Sequence, residues 1–420
     1  MTIHTVKPGD TLYLLSRRYG VPINKIKSDN GIENERNLIV GEDLVITPAE
    51  AYVVKEGDSL FSIAQAYGTT VNDILRSNPQ LRGVPLIFPG QTIYINSSSG
   101  REIIVNGYAY PFINEEELRK ALPYLSYLTV FTYGFREDGS LIEPEDEEII
   151  EIAKSYGVSP LMLISTLTDD GVFNNTLSGR LFSNTELQDV LIDQIIENAN
   201  RKGFEGVEID FEFIPQSDAD GYVQFLSRLK NALSEEGLPL FVALAPKTSA
   251  DQSGLLYEGH DYPRIGEIAD YVILMTYEWG YQFGPPLAVA PINKVEEVVQ
   301  YAVSVIDPMK ILLGIPNYAY DWPLPFVQGQ TAAKGMSNND ALNTALERGA
   351  EIRFDAVSQA PYFNYYLDNV EHVVWFENAR SIFAKLGLVE KYNLGGISIW
   401  QIMRFFPRLY SVLDSTFETM

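Results

Sequence analysis

Eight short runs rich in β-branched and aromatic residues recur between residues 101 and 420, separated by stretches with helical spacing. This alternation restricts the fold more than any other feature of the chain. The runs are Ile103 to Ala109, Tyr127 to Phe135, Leu161 to Leu167, Val207 to Phe213, Leu240 to Ala245, Tyr271 to Tyr277, Ile311 to Ile315 and Gly396 to Gln401. Between them, apolar residues recur at helical intervals, as in Leu187, Val190, Leu191, Ile195 and Ile196, or Tyr222, Phe225, Leu226, Leu229 and Leu233. Strands that alternate with helices eight times predict an α/β fold, a closed (β/α)8 TIM barrel rather than an open doubly wound sheet. No G-x-G-x-x-G or Walker-type loop is present, which argues against nucleotide binding. The interval from Tyr318 to Gly396 is too long for a plain crossover. Aromatic residues and proline cluster in it, at 320–326 and 361–366, and predict a small α+β insertion at about 319–392 that walls one side of a cleft.

The first 96 residues read differently. Val6-Lys7-Pro8-Gly9-Asp10-Thr11-Leu12 repeats as Val54-Lys55-Glu56-Gly57-Asp58-Ser59-Leu60 at an offset of 48, which also carries Tyr19-Gly20 onto Tyr67-Gly68, Ile26 onto Ile74 and Asn30 onto Asn78. One inserted residue later, Gly41 falls on Gly90 and Ile46 on Ile95. Each copy, 1–48 and 49–96, predicts a small βααβ unit. Thr11 and Ser59 supply N-cap oxygens, and the Tyr-Gly pairs stop the first helices. So small a unit without disulfides must bury nearly all its apolar residues, here Leu12, Leu15, Tyr19 and Ile26, then Leu60, Ile63, Ala64, Tyr67 and Ile74. Asn96 to Gly100 is a polar, small-residue run that predicts a linker at 97–100, with the barrel at 101–420.

Composition narrows the function. There is no cysteine, and the three histidines, His4, His260 and His372, form no metal-binding pattern, so neither a metal nor another cofactor is expected. The net charge of −25 argues against nucleic acid and anionic membranes as partners. No apolar run has the length of a membrane span, and Met1 to Asp10 lacks the basic and apolar blocks of a Sec-type signal peptide.

The chemistry concentrates in Phe204-Glu205-Gly206-Val207-Glu208-Ile209-Asp210-Phe211-Glu212-Phe213. On a strand, Val207, Ile209, Phe211 and Phe213 face one way and Glu208, Asp210 and Glu212 the other. In a barrel that second face is the interior. Three carboxylates crowded there raise at least one pKa, the shift a proton donor needs near neutral pH, and Glu212 would stand at the C-terminal mouth.

Both parts of the chain resemble known families. The Gly-Asp-(Thr/Ser)-Leu start, the Tyr-Gly stop, the Asn and the Gly-x-x-(Leu/Ile)-x-Ile end of each repeat resemble LysM modules. That resemblance implies binding of N-acetylglucosamine glycans between the helix-entry loop and the loop before the last strand. The residues concerned would be Gly9, Asp10, Thr11 and Asn30 in the first copy, and Gly57, Asp58, Ser59 and Asn78 in the second. The segment Glu205 to Glu212 resembles the D-G-x-D-x-D-x-E signature of family 18 glycoside hydrolases, with Glu205 and Glu208 in place of the first two aspartates. Met275-Thr276-Tyr277-Glu278, Gly314-Ile315-Pro316-Asn317-Tyr318 and Gly395-Gly396-Ile397-Ser398-Ile399-Trp400 resemble the motifs of strands six, seven and eight, in order. Leu163-Ile164-Ser165-Thr166-Leu167 departs from the usual Ser-x-Gly-Gly of strand three.

This second resemblance implies a retaining reaction in which the substrate's own 2-acetamido oxygen attacks C1. Glu212 would be acid and then base, Asp210 would hold the acetamido N–H, Glu208 would tune Asp210, and Tyr277 would donate to the acetamido oxygen. Trp400 would floor the sugar site, with Glu278, Asn317 and Tyr318 as sugar hydrogen-bonding positions. Together with Phe363 and the His372 to Arg380 segment, the architecture resembles the spore-germination cortex-lytic N-acetylglucosaminidases of spore-forming bacteria. It implies cleavage of cortex peptidoglycan, a place in the spore coat reached from the mother cell, and coat proteins as further partners. A chitinase using the same site and a catalytically silent lectin are the competing readings.

Overall fold

The computed structural model describes residues 1–33, 38–81, 85–95 and 100–420. Eight parallel strands form the barrel: β1 (Arg101–Ala109), β2 (Tyr127–Phe135), β3 (Ser159–Ser165), β4 (Val207–Asp210), β5 (Leu240–Leu244), β6 (Tyr271–Leu274), β7 (Ile311–Pro316) and β8 (Gly396–Trp400). Each pairs with the next, and β8 pairs with β1, so no edge is left open. β4 and β6 end earlier than their apolar runs suggest. Phe213 and Glu278, just past the two ends, have φ of 55° and 66°, left-handed values that an extended strand cannot carry.

Helices cover the outside because one stripe of each is apolar. Thr185–Lys202 starts at an Asn184 cap, buries Leu191 and Ile195, and stops at left-handed Gly203; Ala219–Glu235 buries Phe225, Leu226 and Leu229 in the same layer. Inside the barrel, Ile104, Leu161, Leu163, Phe241, Ile273 and Leu312 fill the lumen together with Tyr108 and Phe131. Among the described residues no helix is long and apolar enough to cross a membrane.

Between β7 and β8 the chain builds a five-stranded antiparallel sheet from Ala319–Pro323, Lys334–Met336, Arg353–Asp355, Ala360–Leu367 and Val370–Trp375, with the helix Asn338–Arg348. The helix Ala379–Lys391, expected within this insertion, instead joins the outer ring of the barrel. Its buried stripe of Ile382, Leu386 and Val389 enters the continuous apolar core that the barrel shares with the insertion.

Each N-terminal repeat is a βααβ unit, with Thr2–Thr5 paired to Asp43–Ile46 and Glu50–Val53 to Thr92–Ile95. The expected core residues cluster in each copy, except that Tyr67 lies on the surface in edge contact with Tyr52. The units are not merely tethered. Ile39 and Val45 of the first belong to the barrel's continuous apolar core, Arg408 donates to Glu42 at 2.9 Å with both residues buried, and Asn378 donates to Asp43 at 2.6 Å. The second unit leans on the barrel through Arg76, which donates to Asp414 at 2.7 Å and to the Pro123 carbonyl at 3.0 Å. Of the expected linker, residues 97–99 lie outside the described residues, and Gly100 packs against the Thr416 carbonyl.

Candidate active site

The inward face of β4 carries Glu208 and Asp210, in register with Leu163 and Ser165 of β3. Glu208 is fully buried. It accepts a hydrogen bond from the Tyr108 hydroxyl of β1, and its Oε2 lies 2.8 Å from Thr129 Oγ1 of β2. Thr129 is in turn 3.0 Å from Asn106 Oδ1, and the Asn106 amide donates to Ser398 Oγ of β8 at 3.0 Å. A polar belt thus runs across the lumen. Burial pushes Glu208 up to about 7 in spite of these hydroxyls, which pull it down.

Asp210 is held well above the usual carboxylate range, first by burial and then by the charges of Glu212 and Glu208. Its Oδ1 is buried and has no protein hydrogen bond among the described residues. Glu212, one residue beyond the buried Phe211, is raised by burial and by the nearby charge of Glu278. Three carboxyl groups in one column cannot all ionise cheaply, so they share protons and titrate as a set. Such a column can deliver a proton and take it back.

Tyr277 follows β6, and its hydroxyl is kept protonated by burial and by Asp210, Glu212 and Glu208 around it. It is therefore a donor. Gly314 of β7 makes its place, since a Cβ there would lie 2.9 Å from the Tyr277 ring. Glu278 stands at the rim and accepts from the hydroxyls of Tyr318 and Tyr320, the latter at 3.1 Å. Trp400 ends β8, half-buried, with its ring edge-on to Tyr108 at 5.2 Å and to Phe131 at 4.9 Å. Among the described residues no group of three or more His, Asp or Glu side chains is arranged to hold a metal ion.

The fold gathers Glu208, Asp210, Glu212, Tyr277, Glu278, Tyr318 and Trp400 at the C-terminal mouth of the barrel. Asn317 is turned away from it. Its amide donates to the Gln401 and Arg404 carbonyls at 3.0 and 2.9 Å and accepts from Asn338, so it clamps the loop after β8 instead of facing the cleft. In the N-terminal units, Gly9 and Gly57 take φ of 90° and 86°, and Asp10 and Asp58 accept from the backbone N–H of Lys7 and Lys55. Thr11 and Ser59 cap helices, while Asn30 and Asn78 are buried and hold the last strand through both ends of their amides. Every one of these residues has a structural role.

Tyr108, Thr129 and Tyr320 escaped the sequence reading because they sit on other strands, where nothing in the spacing links them to β4. His260 escaped it as well. The backbone N–H of Ala245 donates to its Nδ1 at 3.1 Å, so Nε2 carries the proton and donates to the Phe211 carbonyl at 3.1 Å, next to Glu212. Burial pulls this imidazole down to about 4, which preserves that tautomer at neutral pH.

The raised Glu208 has a consequence for stability. A carboxyl whose folded pKa lies above its unfolded value stabilises the fold below about 4.5, and that contribution is lost as pH rises through about 7. Glu208→Gln is expected to match the wild type at pH 4.5 and to exceed it by up to about 3 kcal/mol at pH 8.5, with turnover reduced. Denaturant unfolding at the two pH values checks this; equal differences at both would mean that Glu208 is not held protonated.

The family profile of glycosyl hydrolases family 18 matches residues 112–404, and the LysM domain profile matches 4–47 and 52–96. The cortical fragment-lytic enzyme of Bacillus subtilis (strain 168) is 40% identical over 427 aligned residues, covering 100% of this chain and 99% of that protein. The crystal structure of the Bacillus cereus spore cortex-lytic enzyme SleL is similar over 100% of this chain and 98% of its own, with 36% identity and a TM-score of 0.85. A chitinase from Chromobacterium violaceum ATCC 12472 covers 74% of this chain and 98% of its own at 26% identity, with a TM-score of 0.69.

Proposed function

Since the chain belongs to glycosyl hydrolases family 18 and is a glycoside hydrolase with two LysM domains, we propose that it hydrolyses spore cortex peptidoglycan after N-acetylglucosamine, by a retaining mechanism assisted by the substrate. The observation that carries the reading is the column of Glu208, Asp210 and Glu212, whose pKa values are raised by burial and mutual charge, beside the Tyr277 hydroxyl, a donor suited to an acetamido group. The full-length similarity to two cortex-lytic enzymes supports the choice of polymer.

In this reading Glu212 gives its proton to the leaving oxygen as the acetamido oxygen attacks C1. Asp210, with its unpartnered Oδ1, accepts the acetamido N–H and offsets the positive charge of the oxazolinium ion. The Tyr277 hydroxyl binds the acetamido oxygen, and Trp400 supplies an apolar floor under the sugar. Glu212, now a carboxylate, takes a proton from the water that opens the ring. Glu208 stores charge behind Asp210, so that Asp210 gains or loses a proton without leaving two bare carboxylates side by side. The enzyme acts at the spore cortex, and the ring that reacts is an N-acetylated hexosamine.

Hydrolysis of chitin by the same site is favoured by the similarity to the Chromobacterium violaceum chitinase. The two are separated by mass spectrometry of fragments released from decoated spore peptidoglycan and from chitin. N-acetylglucosamine at the new reducing end of cortex fragments is the expected result. Release from chitin alone would reassign the substrate.

A further inference from the structure

The two LysM domains share the hydrogen bonds that shape the turn before the last strand but have different surroundings. In the first, Val6 N–H donates to the Glu42 carbonyl, Gly41 N–H to the Val6 carbonyl, Glu42 N–H to the Ile39 carbonyl, and Ile39 N–H to the Glu42 side chain. The second repeats all four bonds with Val54, Gly90, Gln91 and Phe88. The loop before the last strand, one wall of the expected glycan groove, is therefore built alike in both.

Its side chains have opposite fates. Ile39 is 5% exposed and belongs to the barrel's core, whereas its counterpart Phe88 is 64% exposed. Glu42 uses its second oxygen to accept from Arg408, whereas its counterpart Gln91 is an uncharged amide. The Val40 carbonyl accepts from Ile352 N–H of the insertion, and a Cβ on Gly41 would run into the Ile352 carbonyl, whereas Gly90 has open space around it. The second domain meets the barrel through its second helix, at Asn72 and Arg76, and leaves Leu86 and Phe88 of this loop exposed. Leu86 on the loop and Phe61 at the start of the first helix are exposed too, so both walls of the second groove present apolar surface to solvent.

We propose that the two domains divide the work: the second grips the N-acetylhexosamine glycan, with Phe88 as its anchor, while the first has become a brace that holds the insertion and the barrel. This rests on the glycan reading above. With the turn built alike, the side chains make the difference. One loop carries an apolar residue and a carboxylate that the barrel buries, and the other carries an aromatic and an amide that it does not.

The test is sedimentation of the full chain with purified peptidoglycan sacculi and with chitin, in a Glu212→Gln background so that the polymer survives. Phe88→Ala is expected to weaken sedimentation about tenfold. Tyr13→Ala, on the exposed position of the first domain that corresponds to Phe61, is expected to change it less than twofold. Both side chains lie on the surface, so both variants fold. Equal losses from the two substitutions, or no loss from Phe88→Ala, would overturn the division. A parent that binds neither polymer would overturn the glycan reading, and this inference with it.

Discussion

Glu212→Gln is expected to lower turnover about a thousandfold while leaving glycan binding close to intact, because general acid and base catalysis is typically worth ~10² to 10⁴. The amide has nearly the same shape as the carboxyl group and fits beside Asp210 without a charge. It can neither give a proton to the leaving oxygen nor take one from water. The substitution also removes a group whose pKa is raised by burial and by Glu278, so the variant is expected to be at least as stable as the wild type at neutral pH. Rate measurements on a soluble chitooligosaccharide, paired with binding measurements on the same substrate, check both halves. Turnover within tenfold of the wild type would remove Glu212 from its role, and a parallel loss of binding would show that it holds substrate rather than transfers a proton.

Arg408→Ala is expected to destabilise the protein by about 3 kcal/mol, the cost of removing one side of a buried ion pair. Arg408 and Glu42 are 2% and 0% exposed, and they join the short helix Pro407–Asp414 to the first LysM domain. Removing one side of a buried pair costs more than replacing both sides. Arg408→Met combined with Glu42→Gln is therefore expected to lose less than Arg408→Ala alone. Denaturant unfolding of the three proteins decides the matter. A change below about 1 kcal/mol in Arg408→Ala would mean that water reaches Glu42 and that the domains separate easily.

The eight strands were legible because each parallel barrel strand is buried on both faces and so reads as a short apolar run. The carboxylates of β4 stood out for the same reason: alternating charge in such a run needs a polar interior to receive it. The strand ends were harder to see. β4 stops at Asp210 because the chain turns at Phe213, and a left-handed phenylalanine leaves no mark in composition or spacing. The place of the helix Ala379–Lys391 was not legible either, because its apolar stripe records that it packs and not what it packs against.

The sequence by itself determined the barrel, the two small repeats and the acidic column with its tyrosine and tryptophan, since periodicity and local motifs carry that information along the chain. Tertiary structure alone decided what those residues touch. Tyr108 and Thr129 reach Glu208 across the lumen from strands about 80 to 100 residues away, and His260 binds beside Glu212 across 49. Asn317 turns from the cleft, and one repeat merges with the barrel while its twin keeps an open loop. Contacts between residues distant in sequence depend on how the closed sheet brings strands together, and no one-dimensional pattern records which side chains then meet.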